Sequence, residues 1–122
     1  MLKERFIEFK KIHFEAASRK TRSDNTWDIQ KSWIIKGLAI LGVLQYKNKI
    51  ISAVFINKYK NNCYYQVGAT LPDYIRMRGV GQLLQWMVIE YLIQIKASYY
   101  EIGWNWYGNF TQEIADDKML AI

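Results

Sequence analysis

The chain reads as an α/β (α+β) protein: a mixed, mainly antiparallel sheet, incomplete at both ends, with one central helix packed on it. Three observations predict this. Two helical patterns come first, three strand-like runs follow in close succession, and an apolar helix then precedes one more strand.

Residues 2–17 predict the first helix, because Leu2, Phe6, Phe9, His13 and Ala17 recur at three- and four-residue intervals. Lys10 and Lys11 lie off that stripe. His13 falls on the apolar face and reads as a core or boundary residue. Ser18 to Thr26 is polar and loop-like. A second helix starts there, with Asn25 as its cap and Asp28 in its first turn. Gly37 stops it. Leu38–Tyr46 and Ile50–Tyr59 are rich in Leu, Ile, Val and Phe and flank Lys47-Asn48-Lys49, which predicts a β-hairpin. After Lys60-Asn61-Asn62, the run Cys63–Gly68 supplies a third strand, and the three form an antiparallel meander. A loop from Ala69 to Arg78 leads into a helix from about Gly79 to Lys96. That helix is apolar on most sides, so it is expected to be covered on two faces. Ser98–Trp104 predicts a strand parallel to the one before the helix. Thr111–Ala115 reads as the start of a helical turn and Met119–Ile122 as the start of a strand.

With 122 residues, the chain has the length of one domain, residues 1–122, and of one modest core. It is 51% apolar with five Trp and nine Tyr, which argues against disorder. The net charge of +6 is uneven: residues 1–60 hold 13 Lys/Arg against 5 Asp/Glu, and residues 61–122 hold 4 against 6. A basic half suits an anionic partner such as a nucleotide, tRNA or a membrane surface, although scattered lysines read first as a solvated surface. Cys63 is the only cysteine, which excludes an intrachain disulfide and fits a reducing compartment, the cytoplasm. One Cys and one His at this spacing build no metal site. No apolar run reaches membrane-spanning length, and the charged N-terminus lacks a secretory pattern.

The segment Arg76-Met77-Arg78-Gly79-Val80-Gly81-Gln82 lies between a strand and a helix. A helix start leaves backbone N–H groups unpaired, and the helix dipole adds positive charge there. Glycines admit a ligand close to the backbone, and Arg76 and Arg78 add fixed charge. The pattern fits phosphate binding; the bland alternative is a glycine-containing helix start with two solvated arginines.

In the form Arg-x-x-Gly-x-Gly, with Leu71-Pro72-Asp73-Tyr74 before it, this segment resembles the acyl-CoA pyrophosphate loop of the GNAT N-acyltransferase superfamily. Within it, residues 63–103 look most like the FemAB/FemX-like branch. The resembling features are Tyr64-Tyr65-Gln66-Val67-Gly68-Ala69, then Leu83-Leu84-Gln85-Trp86, then Tyr99-Tyr100-Glu101-Ile102-Gly103. Such proteins usually begin with a further strand and end with further elements, so the resemblance implies a truncated unit or a fragment.

The resemblance implies acyl transfer from acyl-CoA (acetyl-CoA), or from aminoacyl-tRNA, to an amine acceptor, with no metal. Backbone amides of Val80, Gly81 and Gln82, with Gly79, Arg76 and Arg78, would hold the pyrophosphate. The strand at Gln66 and Val67 would polarise the acyl carbonyl. Glu101 is the candidate base, directly or through water, and Tyr100 a candidate acid. Arg19, Arg22 and Asn105 are candidates for the acceptor side. Two other classes compete. A non-catalytic assembly module would keep the fold and pair its sheet edge at Ser98–Trp104 with a second copy or a partner chain. A nucleic-acid-binding module lacks a recognition motif.

Overall fold

In the structure, a computed structural model that describes residues 2–102, helix α1 spans Leu2–Ala17. Its buried residues are Phe6, Phe9 and Ile12. His13 is half-buried at the boundary of the stripe, as expected, and Ile12 beside it takes the fully buried position. Helix α2 spans Asp24–Ile35. It begins before the expected cap at Asn25, because Ser23 is extended and its Oγ accepts the N–H of Thr26 at 3.2 Å. Asp24, not Asp28, is the acid in the first turn. At the other end Gly37 takes φ +77°. Its N–H reaches the Ile34 carbonyl at 3.1 Å and that of Leu38 reaches Trp33 at 2.8 Å, which closes the helix as expected.

Strands β1 (Ala39–Tyr46), β2 (Lys49–Tyr59) and β3 (Asn62–Thr70) form the antiparallel meander. The first hairpin turns on Lys47 and Asn48 alone, with φ +51° and +63°. Two successive positive φ values match the twist of a two-residue hairpin. A 3-10 turn at Pro72–Tyr74 follows β3, then helix α3 at Val80–Gln94. Strand β4 (Tyr99–Glu101) pairs parallel with β3, as the strand-helix-strand order predicts. The sheet order is β1-β2-β3-β4. The rest of the expected strand, Gly103 and Trp104, and the patterns at Thr111–Ala115 and Met119–Ile122 lie outside the described residues.

Alternation along β2 sorts the core into two layers. Ala53 and Phe55 face α1 and α2, where they meet Phe6, Phe9 and Trp27. Phe9 stacks on Phe55 at 6.3 Å and meets Trp27 edge-on at 5.4 Å. Val54 and Ile56 face α3, with Leu84, Val88 and Leu92. Aromatic pairs of this geometry add about 0.5–1.5 kcal/mol each beyond area burial. The two faces of β2 thus hold helices on both sides, and β3 carries its open edge between them.

Candidate active site

Two irregularities define the site. Phe55 pairs with Val67 and Ile56 with Tyr65, so Gln66 is an extra residue in β3. Such a bulge bends the strand and leaves a residue out of the ladder. The second is the short pairing of β4. Asn62, Cys63 and Tyr64 pair with Tyr99, Tyr100 and Glu101, and the pairing stops there. From Tyr65 to Thr70 the outer edge of β3 has no strand partner among the described residues. Backbone groups there are available to a ligand, beginning at the bulge.

The head of α3 faces the same opening. Gly79 precedes the helix with φ +89°, in the left-handed region that favours glycine, and among the described residues no side chain caps the helix. Leu83 N–H bonds the Gly79 carbonyl at 2.8 Å, and Val80 N–H reaches back to Met77 at 3.5 Å. Among the described residues, no acceptor meets the N–H groups of Gly81 and Gln82. A Cβ built on Gly81 would touch nothing within 4 Å, so its surface is open. Arg76 and Arg78 are exposed beside it.

A cleft of about 680 Å³ joins the two features. Gly68, Ala69 and Thr70 of β3 form one wall, and Gly81, Gln82 and Gln85 of α3 another. Ser52 of β2 stiffens the far end. Its Oγ lies 2.8 Å from Thr70 Oγ1 and donates to the Ala69 carbonyl at 3.2 Å. Val67 is half-buried and Gln66 exposed.

Three lining groups were not legible as site residues. Tyr65 is half-buried, and its hydroxyl lies 2.6 Å from the point where a Cβ of Gly68 would stand. Burial pushes that phenol above its ordinary value. Gln85 accepts a hydrogen bond from the Tyr100 hydroxyl at 2.7 Å. Ser52 is buried beneath the cleft floor. The glycine three residues after Tyr65 was the only available signal, and it needs the strand register to be read.

The remaining candidates separate. Tyr100 is buried against Cys63 and Leu92, and its proton is committed to Gln85. Burial, then the neighbouring Tyr65, push its pKa up to about 12, with the Gln85 bond opposing. Glu101 is exposed at the last paired register, opposite Tyr64, where β3 and β4 part. Arg19 is exposed beyond α1. Arg22 stacks its guanidinium on Trp27 at 5.0 Å and donates to the buried Gln30 at 3.1 Å, so its donors are partly used inside the fold. Asn105 lies outside the described residues. Among the described residues, no three His, Cys, Asp or Glu side chains cluster, and no helix is long and apolar enough to cross a membrane.

This fold has known counterparts. The acetyltransferase (GNAT) domain family matches residues 30–111, two-thirds of the sequence, so the chain belongs to the GNAT acetyltransferase family. No curated protein matches it by sequence. Among solved structures it is similar to AAC(6')-Iy in complex with a bisubstrate analog, at 12% identity and TM-score 0.68, over 94% of this chain and 83% of that one. It is also similar to the ribosomal-protein-S18-alanine N-acetyltransferase of Escherichia coli, at 18% identity and TM-score 0.62, over 92% and 68%. A GNAT family acetyltransferase of Brucella melitensis in complex with acetyl-CoA matches at 14% identity and TM-score 0.63, over 85% and 73%. These likenesses establish the fold.

Proposed function

We propose that the protein is an N-acyltransferase that moves an acyl group from acyl-CoA, with acetyl-CoA the simplest donor, to an amine. One observation carries this reading: a single cleft joins the edge of β3 to the head of α3, and among the described residues that edge has no strand partner and that head no side-chain cap. The residues fit the donor. Free N–H groups at Gly81 and Gln82, with Arg76 and Arg78 beside them, suit a pyrophosphate, and the open face of Gly81 allows close approach. The bulged strand at Gln66 and Val67 offers backbone N–H to an acyl carbonyl. The acyl thioester supplies the activated acyl group. The amine nitrogen forms the new C–N bond as the C–S bond breaks, and coenzyme A leaves as the thiolate while the nitrogen gives up one proton. Glu101, at the mouth of the parting strands, takes that proton directly or through water. Tyr100 holds Gln85 in the cleft wall and acts as a positioning residue.

Acyl-CoA is favoured over aminoacyl-tRNA as donor, because the glycine-arginine segment suits a pyrophosphate. The motif likeness to FemAB/FemX-like proteins supports an amine acceptor. A reaction using acyl-CoA and a free buried thiol at Cys63 suits the cytoplasm. A partner chain or second copy pairing with β4 would extend the sheet there.

Calorimetric titration of the chain with coenzyme A and acetyl-CoA tests the donor. Binding in the micromolar range, weakened at least tenfold by Arg76→Ala/Gly81→Trp, is the expected result. No heat and no thermal stabilisation of the folded chain would sink the acyl-CoA reading.

A further inference from the structure

A smaller cleft of about 210 Å³ lies between the C-terminal half of α1, the loop after it and Trp27 of α2. Lys10, Arg19 and Lys20 line it against one carboxylate, Asp24. That carboxylate pairs with Lys20 at 3.5 Å and cancels one of the three positive charges, which leaves the lining with a net charge of +2. Arg22, stacked on Trp27, adds another cation beside the opening. The field reaches a lining group: burial, then Arg22, hold the His13 imidazole below its ordinary value. Thr21, whose Oγ1 lies 3.2 Å from His13 Nδ1, supplies a hydroxyl. Phe14 is exposed and forms an apolar wall.

This cleft and the acyl-transfer cleft share helix α1. His13 lines the smaller one and Ala16 lines the larger. The two residues are i,i+3 neighbours on one helix face, and about 4.5 Å of helix axis separates them.

We propose that the acceptor is an amine that carries a phosphate or a carboxylate, and that Lys10, Arg19 and Lys20 seat this anion. The inference rests on the acyl-transfer reading and names its substrate class. An aminoglycoside, with several ammonium groups, would meet like charge at this surface. An anionic amine is drawn in and held with its far end fixed, so the nitrogen is presented toward the neighbouring cleft.

The test compares glucosamine 6-phosphate with glucosamine, and glutamate with its diamide, as acceptors in a thiol-release assay with acetyl-CoA. Tobramycin is the polycationic control. The phosphate and carboxylate pairs distinguish the two sources of the anion. At least one anionic member is expected to show a kcat/KM tenfold or more above its uncharged counterpart. In Arg19→Gln/Lys20→Gln that ratio falls toward one, and in Arg19→Glu tobramycin gains relative to the anions. Perturbation of the His13 and Trp27 resonances by glucosamine 6-phosphate, without acetyl-CoA, reads the subsite independently of turnover. Equal turnover within both pairs, or preference for tobramycin, would overturn the inference while leaving the donor reading intact. Loss of coenzyme A binding would overturn both, and the titration separates these cases.

Discussion

Gly68 has no Cβ, and the hydroxyl of Tyr65 lies 2.6 Å from where one would stand, with the Ala53 carbonyl 3.4 Å away. A methyl group there collides with a ring that is itself half-buried and anchored on the strand. Overpacking of this kind costs about 1–3 kcal/mol. Gly68→Ala is therefore expected to lower stability by that order and to weaken coenzyme A binding, since the displaced ring borders the cleft. Tyr65→Phe removes the clashing oxygen, so the double variant should recover much of the loss in a urea-unfolding cycle. Equal stability of Gly68→Ala and the parent would show that the ring yields freely. His13, the only histidine, carries a second residue-level expectation. Its folded pKa is lowered from 6.5 by burial and then by Arg22. The unfolded chain therefore binds a proton more readily below that value. Its contribution to stability is complete above pH 6.5 and is lost as pH falls through the folded value. Unfolding free energies measured from pH 7.5 to 5.5 should decline on acidification, and His13→Asn should flatten the slope. A slope that His13→Asn leaves unchanged would place the proton linkage elsewhere.

At the level of elements, periodicity was legible and register was not. The 3.6-residue stripe of α1, the two strand runs around Lys47-Asn48 and the apolar α3 could all be read, because burial imposes those repeats on the sequence itself. The glycine segment before α3 was legible for a different reason: φ +89° at Gly79 lies in the left-handed region that favours glycine. The cap of α2 was misplaced because Ser23 and Asn25 are both good caps, and only the hydrogen bond from Thr26 N–H decides between them. Ile12 and His13 compete for one stripe, and packing against the sheet gives the buried place to the apolar side chain. The bulge at Gln66 could not be read, since one extra residue leaves an apolar run looking the same. It is also the feature that turns β3 into a site. Tyr65, Ser52 and Gln85 followed it out of view, because each is placed by register or by a contact between distant segments.

At the scale of the whole molecule, two openings of similar size among the described residues compete for the ligand. One of about 680 Å³ joins β3 to the head of α3. The other, of about 540 Å³, runs along the free edge of β1 from Ile40 to Gln45 and is bounded by Met87 and Tyr91. Size does not choose between them, but chemistry does. At the first, the N–H groups of Gly81 and Gln82 meet no acceptor among the described residues, and Arg76 and Arg78 precede them in the chain; the second is lined by Arg5 and by strand residues already paired with β2. Hydrogen exchange can read the choice directly. Ala53 to Ile56 of the central strand are fully buried and should exchange only on global opening. The three-residue β4 should open more easily, since it is held by a single short ladder. Bound coenzyme A is then expected to slow exchange at Gly81 and Gln82 and along Gln66–Thr70. Amides from Ile40 to Gln45 should gain only the uniform increase that ligand binding gives to global stability, about 2.7 kcal/mol at a hundredfold excess over Kd. Selective protection of the β1 edge would move the donor to the other opening and would remove the assigned roles of Gln66, Gly81 and Glu101 together.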